Sequence, residues 1–205
     1  MTHTVAILIF LLLSGDPPAL LVEHRAEIHD AAKAYGISAR LLASVVYAER
    51  SSNIRPGEDV VDVVLARTGY NSSVGLAQVK VETAFWITEQ LSDPKSPFYL
   101  TPEKAQILPL PKGRQELIDP LAEPRTNLLF AAAYLEIIAR HWATVLETMQ
   151  STSDRVALLG TLYSLGLERA DGSGRSPHTD AKPNRFGQIA QEFYDSFLLR
   201  QEFPD

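Results

Sequence analysis

Glu49 is the residue of this chain best placed to do chemistry. It closes an otherwise apolar stretch, Leu41-Leu42-Ala43-Ser44-Val45-Val46-Tyr47-Ala48-Glu49, and is followed at once by Arg50-Ser51-Ser52-Asn53. A carboxyl set where an apolar helix opens onto a cleft is partly desolvated. That favours its protonated form and lets it act as a general acid near neutral pH. Cleavage of a glycosidic bond needs such a group, because the leaving oxygen must take up a proton as positive charge develops on the sugar. Alone the signal is weak, since most glutamates at helix ends are solvated surface groups.

Other chemistries find little support. The five histidines, His3, His24, His29, His141 and His178, do not fall at metal-ligand spacing, and His24 and His29 are five apart rather than four. With no cysteine in the chain, thiolate sites and disulfides are excluded and the redox compartment stays open. Nucleophile-elbow, phosphate-loop and dinucleotide fingerprints are missing, and Asp171-Gly172-Ser173-Gly174 lacks the lysine a phosphate loop would carry next. No metal and no cofactor are expected. The net charge of -6 gives no electrostatic reason to bind nucleic acid or anionic lipid.

The elements that must position Glu49 are mostly helical. Ile28, Ala31, Ala32 and Tyr35 recur at helical spacing and Gly36 follows as a stop; Ser38 caps a second helix running to Glu49, so the two form a hairpin. From Asn53 to Lys80 the chain turns polar and Gly/Pro-punctuated and is expected to be a loop followed by a small β-hairpin around Val74–Val79. Helix resumes at about Val81 to Leu91. Thr101-Pro102-Glu103 then looks like a cap with proline at the first helical position, inside a Pro-rich connection. Leu128, Ala132, Leu135, Ile138, Trp142 and Val145 predict one long buried helix from about Glu123 to Glu147. Ser151 to Asp154 open another helix through Tyr163, and a last one is expected to bury Phe186, Ile189, Phe193 and Phe197.

At 205 residues with 45% apolar content, one domain over residues 21–205 is the default, and a monomer is the matching expectation. Residues 1–20 stand apart. Their apolar run Val5–Leu13 is about half the ~20 residues needed to cross a bilayer. It reads either as an export signal, though lacking the usual basic start, or as a packed segment, and no stable membrane span is expected.

The order of these elements resembles a known family. Ala31 to Glu49 is similar to the helix pair of soluble lytic transglycosylases and goose-type lysozymes, whose catalytic acid ends the second helix. Ser73-Val74-Gly75-Leu76-Ala77-Gln78-Val79 resembles the family's Gly-Leu-Met-Gln hairpin, and Thr83-Ala84 its following Thr-Ala. Asn127 with Tyr134-Leu135 resembles its long helix, and Tyr163-Ser164-Leu165-Gly166 its Tyr-Asn-x-Gly motif. The resemblance spans about Ala26 to Gly166. It implies a mainly α, lysozyme-like α+β fold, with a helical domain and a small β-hairpin beside an active-site cleft.

It also implies roles. Glu49 and Tyr163 would be catalytic, the Tyr163 hydroxyl bonding the acid or the substrate's acetamido group. Ser73, Gly75, Gln78, Tyr134 and Asn127 would bind substrate, Gln78 offering an amide that both donates and accepts. The structural alternatives are that Tyr163 and Tyr134 are core aromatics, Ser73 a turn residue and Asn127 a helix-positioning group. The implied activity is cleavage of the β-1,4 bond of peptidoglycan glycan strands in the cell envelope, the periplasm or outside the cell. A lytic transglycosylase would let the muramic acid 6-hydroxyl attack, with Glu49 as acid and then base; a muramidase would need a carboxylate to activate water. Lys80 occupies the position where goose-type lysozymes carry that Asp, leaving Asp59 and Asp62 as water-activating candidates, so transglycosylase chemistry is favoured. Arg50, Ala77 and Ser164 also depart from the family pattern, which keeps open a catalytically weak glycan-binding relative; a chitinase-type hydrolase is a third reading.

Overall fold

Gly36 and Ser38 set the first turn of the molecule. In the computed structural model, which describes residues 17–52, 58–169 and 171–204, helix α1 (Pro17–Glu23) leads into α2 (Arg25–Tyr35). Gly36 adopts a left-handed φ of 73°, and the Ile37 amide donates back to Ala32 O at 3.0 Å, closing α2 with a Schellman turn. Ser38 Oγ accepts from Leu41 N at 3.3 Å and opens α3 (Ala39–Ser52), which buries Leu42, Val45 and Val46 completely. Each such side chain stabilises the fold by about 1.5–3 kcal/mol before entropy is set against it. The apolar run Val5–Leu13 lies outside the described residues.

The expected loop after α3 contains a helix instead, α4 (Glu58–Arg67). Its acids and the preceding Pro56-Gly57 read as loop composition. The repeated Val and Leu from Val60 to Leu65 nonetheless support a helix once Ala66 can be buried against the body. Two-residue strands β1 (Ser73–Val74) and β2 (Val79–Lys80) then pair antiparallel, Ser73 opposite Lys80 and Val74 opposite Val79. They lead straight into α5 (Val81–Ser92). Short helices α6 (Pro102–Ala105) and α7 (Ile118–Ala122) with a 3-10 turn (Arg114–Leu117) carry the Pro-rich connection, and Thr101 caps α6 as its sequence suggests.

The central helix is α8 (Pro124–His141), in which Phe130, Ala131, Ala132, Leu135 and Ile138 are inaccessible to solvent. The expected single helix to Glu147 breaks at Trp142, and α9 (Ala143–Thr148) continues after it. The apolar stripe runs through the break because Trp142 is itself buried, edge-on to His178 at 5.6 Å. Periodicity registers which residues are apolar, not whether the axis continues.

Helix α10 (Thr152–Leu165), capped by Ser151, packs tightly against α11 (Arg185–Tyr194). A Cβ on Gly187 would lie 2.1 Å from Ala157 O, and one on Gly160 3.1 Å from Ala190 Cβ, so backbone meets backbone there. The final expected helix also divides: Ser196 accepts from Leu199 N and starts α12 (Phe197–Glu202). Phe197, expected inside, is 81% exposed, and Leu199 and Phe203 are the buried residues at this end. The result is mainly α with one small hairpin. Among the described residues no helix is long and apolar enough to cross a membrane.

Candidate active site

A groove of about 720 Å³ runs between the C-terminal end of α3, the β1–β2 hairpin and the connection from α10 to α11. That lies within the roughly 300–1,000 Å³ usual for ligand pockets. Glu49 from α3, Ser73 and Gln78 from the hairpin, Tyr134 from α8 and Tyr163 from α10 all line it. It continues past Thr83, Tyr134, Gly166 and Glu168 into a hollow of about 130 Å³ against Trp86. The Trp86 indole donates to Glu168 Oε1 at 3.0 Å and fixes that junction.

Burial pushes the Glu49 carboxyl up to about 8, with Lys80 pulling the other way. Lys80, the hairpin lysine that lines the same groove, is a cation that acts on Glu49. A carboxyl poised there is protonated at neutral pH and able to donate.

Tyr163 reaches the groove but is buried, and its hydroxyl donates to the main-chain carbonyl of Ala77 at 2.9 Å. The phenol is held well above its ordinary pKa, first by burial and then by the charges of Glu49 and Tyr134. It stays neutral and serves as a strut between α10 and the hairpin turn.

That turn aims Gln78. Its backbone sits at φ 48°, the sole non-glycine positive φ among the described residues, a conformation that costs on the order of 1 kcal/mol or more for a side chain of this kind. Gln78 Nε2 donates to Gly75 O at 3.1 Å, so the amide plane is set from inside the turn while the side chain lines the groove.

Two expected substrate ligands have another task. Asn127 is wholly buried on α8, accepting from Ala77 N at 2.7 Å and donating to Val74 O at 2.7 Å and Leu121 O at 3.0 Å. It pins the hairpin and cannot touch a ligand. Gly75 does not line the groove either; with φ 79°, a Cβ there would fall 2.4 Å from Leu121 O, so its missing side chain admits α7 and Asn127 rather than a glycan. Tyr134 is 5% exposed and accepts from Leu167 N at 2.8 Å, which makes it chiefly a support for the far wall. Asp62 belongs to α4 and is not among the described residues that line the groove; the Asp59 side chain lies outside the described part.

No protein-family model matches the chain, and no curated protein matches it either.

Sequence reasoning did not single out Thr83, Glu168, Arg169 or Phe186 as groove residues, and it noted Lys80 and Ser164 only as departures from a motif. Glu168 and Arg169 sit beyond the last motif, in a stretch with no periodicity to locate it. Phe186 was read as core; it lies nearly parallel to the Tyr163 ring at 6.5 Å and forms part of the floor. Ser164 accepts from Asn184 Nδ2 at 2.9 Å, and Asn184 in turn caps α11 through Gly187 N. The groove thus offers one protonated carboxyl, an oriented amide, a second carboxylate in Glu168, and two cations.

Proposed function

We propose that the chain cleaves the β-1,4 bond between N-acetylmuramic acid and N-acetylglucosamine in peptidoglycan, with Glu49 as the general acid. The observation that supports this is a half-buried carboxyl, proton-bearing at neutral pH, sharing a groove of glycan-sized volume with a fixed amide. Glu49 would give its proton to the glycosidic oxygen as the bond to C1 breaks. The resulting carboxylate would then take the proton of the muramic acid 6-hydroxyl as that oxygen closes on C1, and no water is consumed. Gln78 would hold the N-acetyl group through donated and accepted bonds. The place of work would be the cell envelope.

One observation favours hydrolysis as a second reading: Glu168 lines the same groove and could activate water. Digestion of purified sacculi decides between them by product mass, 1,6-anhydro ends for transglycosylation and reducing ends for hydrolysis. Glu49→Gln is expected to abolish both products with helicity unchanged. Full activity in that variant would sink the reading.

A further inference from the structure

Lys80 and Arg169 reach the groove from different elements, Lys80 from β2 and Arg169 from the connection after α10. Among the described residues neither forms an ion pair, whereas Arg67, Lys104 and Arg114 are matched to Asp119, Glu136 and Glu82. The Arg169 guanidinium is nonetheless held in place. Its Nη1 donates to Gly174 O at 2.9 Å and Ser173 Oγ at 3.3 Å, its backbone amide donates to Ser173 O, and Glu168 bridges to Gly174. Asp171, the nearby acid, accepts from Ser173 N and Oγ at 2.9 and 2.6 Å, and the Arg169 charge acts on it more weakly than those bonds do. Arg175 staples the same connection to Gly166 O. Glu168, the competing negative charge, lines both the groove and the adjoining hollow and commits one oxygen to Trp86.

Two accessible cations, one of them rigidly oriented, facing a groove in a chain of net charge -6 are what an anionic ligand group requires. Resting on the glycan reading above, we infer that Lys80 and Arg169 recognise a carboxylate carried by the sugar strand and so select acidic amino-sugar glycans over neutral ones. Charge-assisted bonds to a carboxylate are short and strong compared with neutral ones. A substrate carboxylate on Lys80 would also cancel that lysine's pull on Glu49, so the matching strand helps to keep the acid protonated when it binds.

The test is binding to the full-length Glu49→Gln protein, which cannot turn substrate over. The probes are a muramyl-containing strand with free lactyl carboxylates, the same strand amidated, and a neutral N-acetylglucosamine oligomer of equal length. The free-carboxylate strand should bind about tenfold or more tightly than the amidated one. Lys80→Gln and Arg169→Gln, both at exposed positions, should each shrink that ratio while leaving affinity for the neutral oligomer unchanged, with the melting temperature unchanged in Lys80→Gln and slightly lowered in Arg169→Gln by the loss of its bonds to Gly174 and Ser173; Lys80→Arg should restore most of the ratio. Equal affinity for carboxylate and amide, or a preference that survives both substitutions, overturns the inference while leaving the glycan reading intact. Failure of all three probes to bind overturns both.

Discussion

The Tyr163 hydroxyl donates to Ala77 O at 2.9 Å while Asn127 Oδ1 accepts from Ala77 N at 2.7 Å, so one peptide-length of hairpin is gripped from two helices at once. Gln78 is the next residue along. Its strained backbone persists because both sides of the turn are held.

Tyr163→Phe should cost about 1–2 kcal/mol of stability, since it leaves the buried Ala77 carbonyl without its partner. Urea denaturation measures this. If Tyr163 only positions the turn, glycan turnover should drop severalfold with an unchanged pH profile; a shifted profile would instead mark a direct proton role.

Asn127→Ala removes three buried hydrogen bonds at one stroke and should destabilise by about 3 kcal/mol or more. The hairpin should loosen before the helices melt. Hydrogen exchange at the Ala77 amide is the direct readout, and unchanged protection there would contradict the role assigned to Asn127.

Glu49 gives stability a pH slope of defined sign. Its carboxyl binds a proton up to about pH 8 in the folded state but loses it near 4.5 when unfolded. The folded state therefore holds more protons between those values, and stability falls as pH rises through them. Wild type should lose about 4 kcal/mol between pH 5 and pH 9, and Glu49→Gln should abolish most of that slope. Activity should decline through the same upper limit as the acid deprotonates, and Lys80→Met should move the decline to higher pH.

Gly187→Ala drives a methyl into Ala157 O and Thr161 Oγ1, at 2.1 and 2.2 Å, and should cost about 2–4 kcal/mol by forcing α10 and α11 apart. Gly113→Ala, where nothing lies within 4 Å and φ is -174°, is the control and should be near neutral. Thermal melts of the two variants compare them directly.

Much of this molecule follows from local rules. Gly36 and Ser38 stop one helix and start the next because a left-handed residue and a hydroxyl satisfy backbone groups that any helix end leaves open, and Glu49 follows from counting along that second helix. Composition alone misleads: its acids hide α4, and periodicity turns Phe197 inward although α11 ends at Asp195 and Ser196 starts a new helix before it. What no local rule reaches is which side of a residue meets which distant segment. Asn127 and Gly75 lie in stretches whose spacing suggests a binding site yet serve the scaffold, while Lys80, Glu168 and Arg169 carry no distinctive pattern and still share a groove with Glu49. Sequence determined most of the helical elements and the candidate acid, because backbone bonding and apolar spacing act over a few residues. Only tertiary packing decided the acid's burial, its opposing cation and the walls around it, because desolvation and Coulomb fields depend on distance in space and not on distance along the chain.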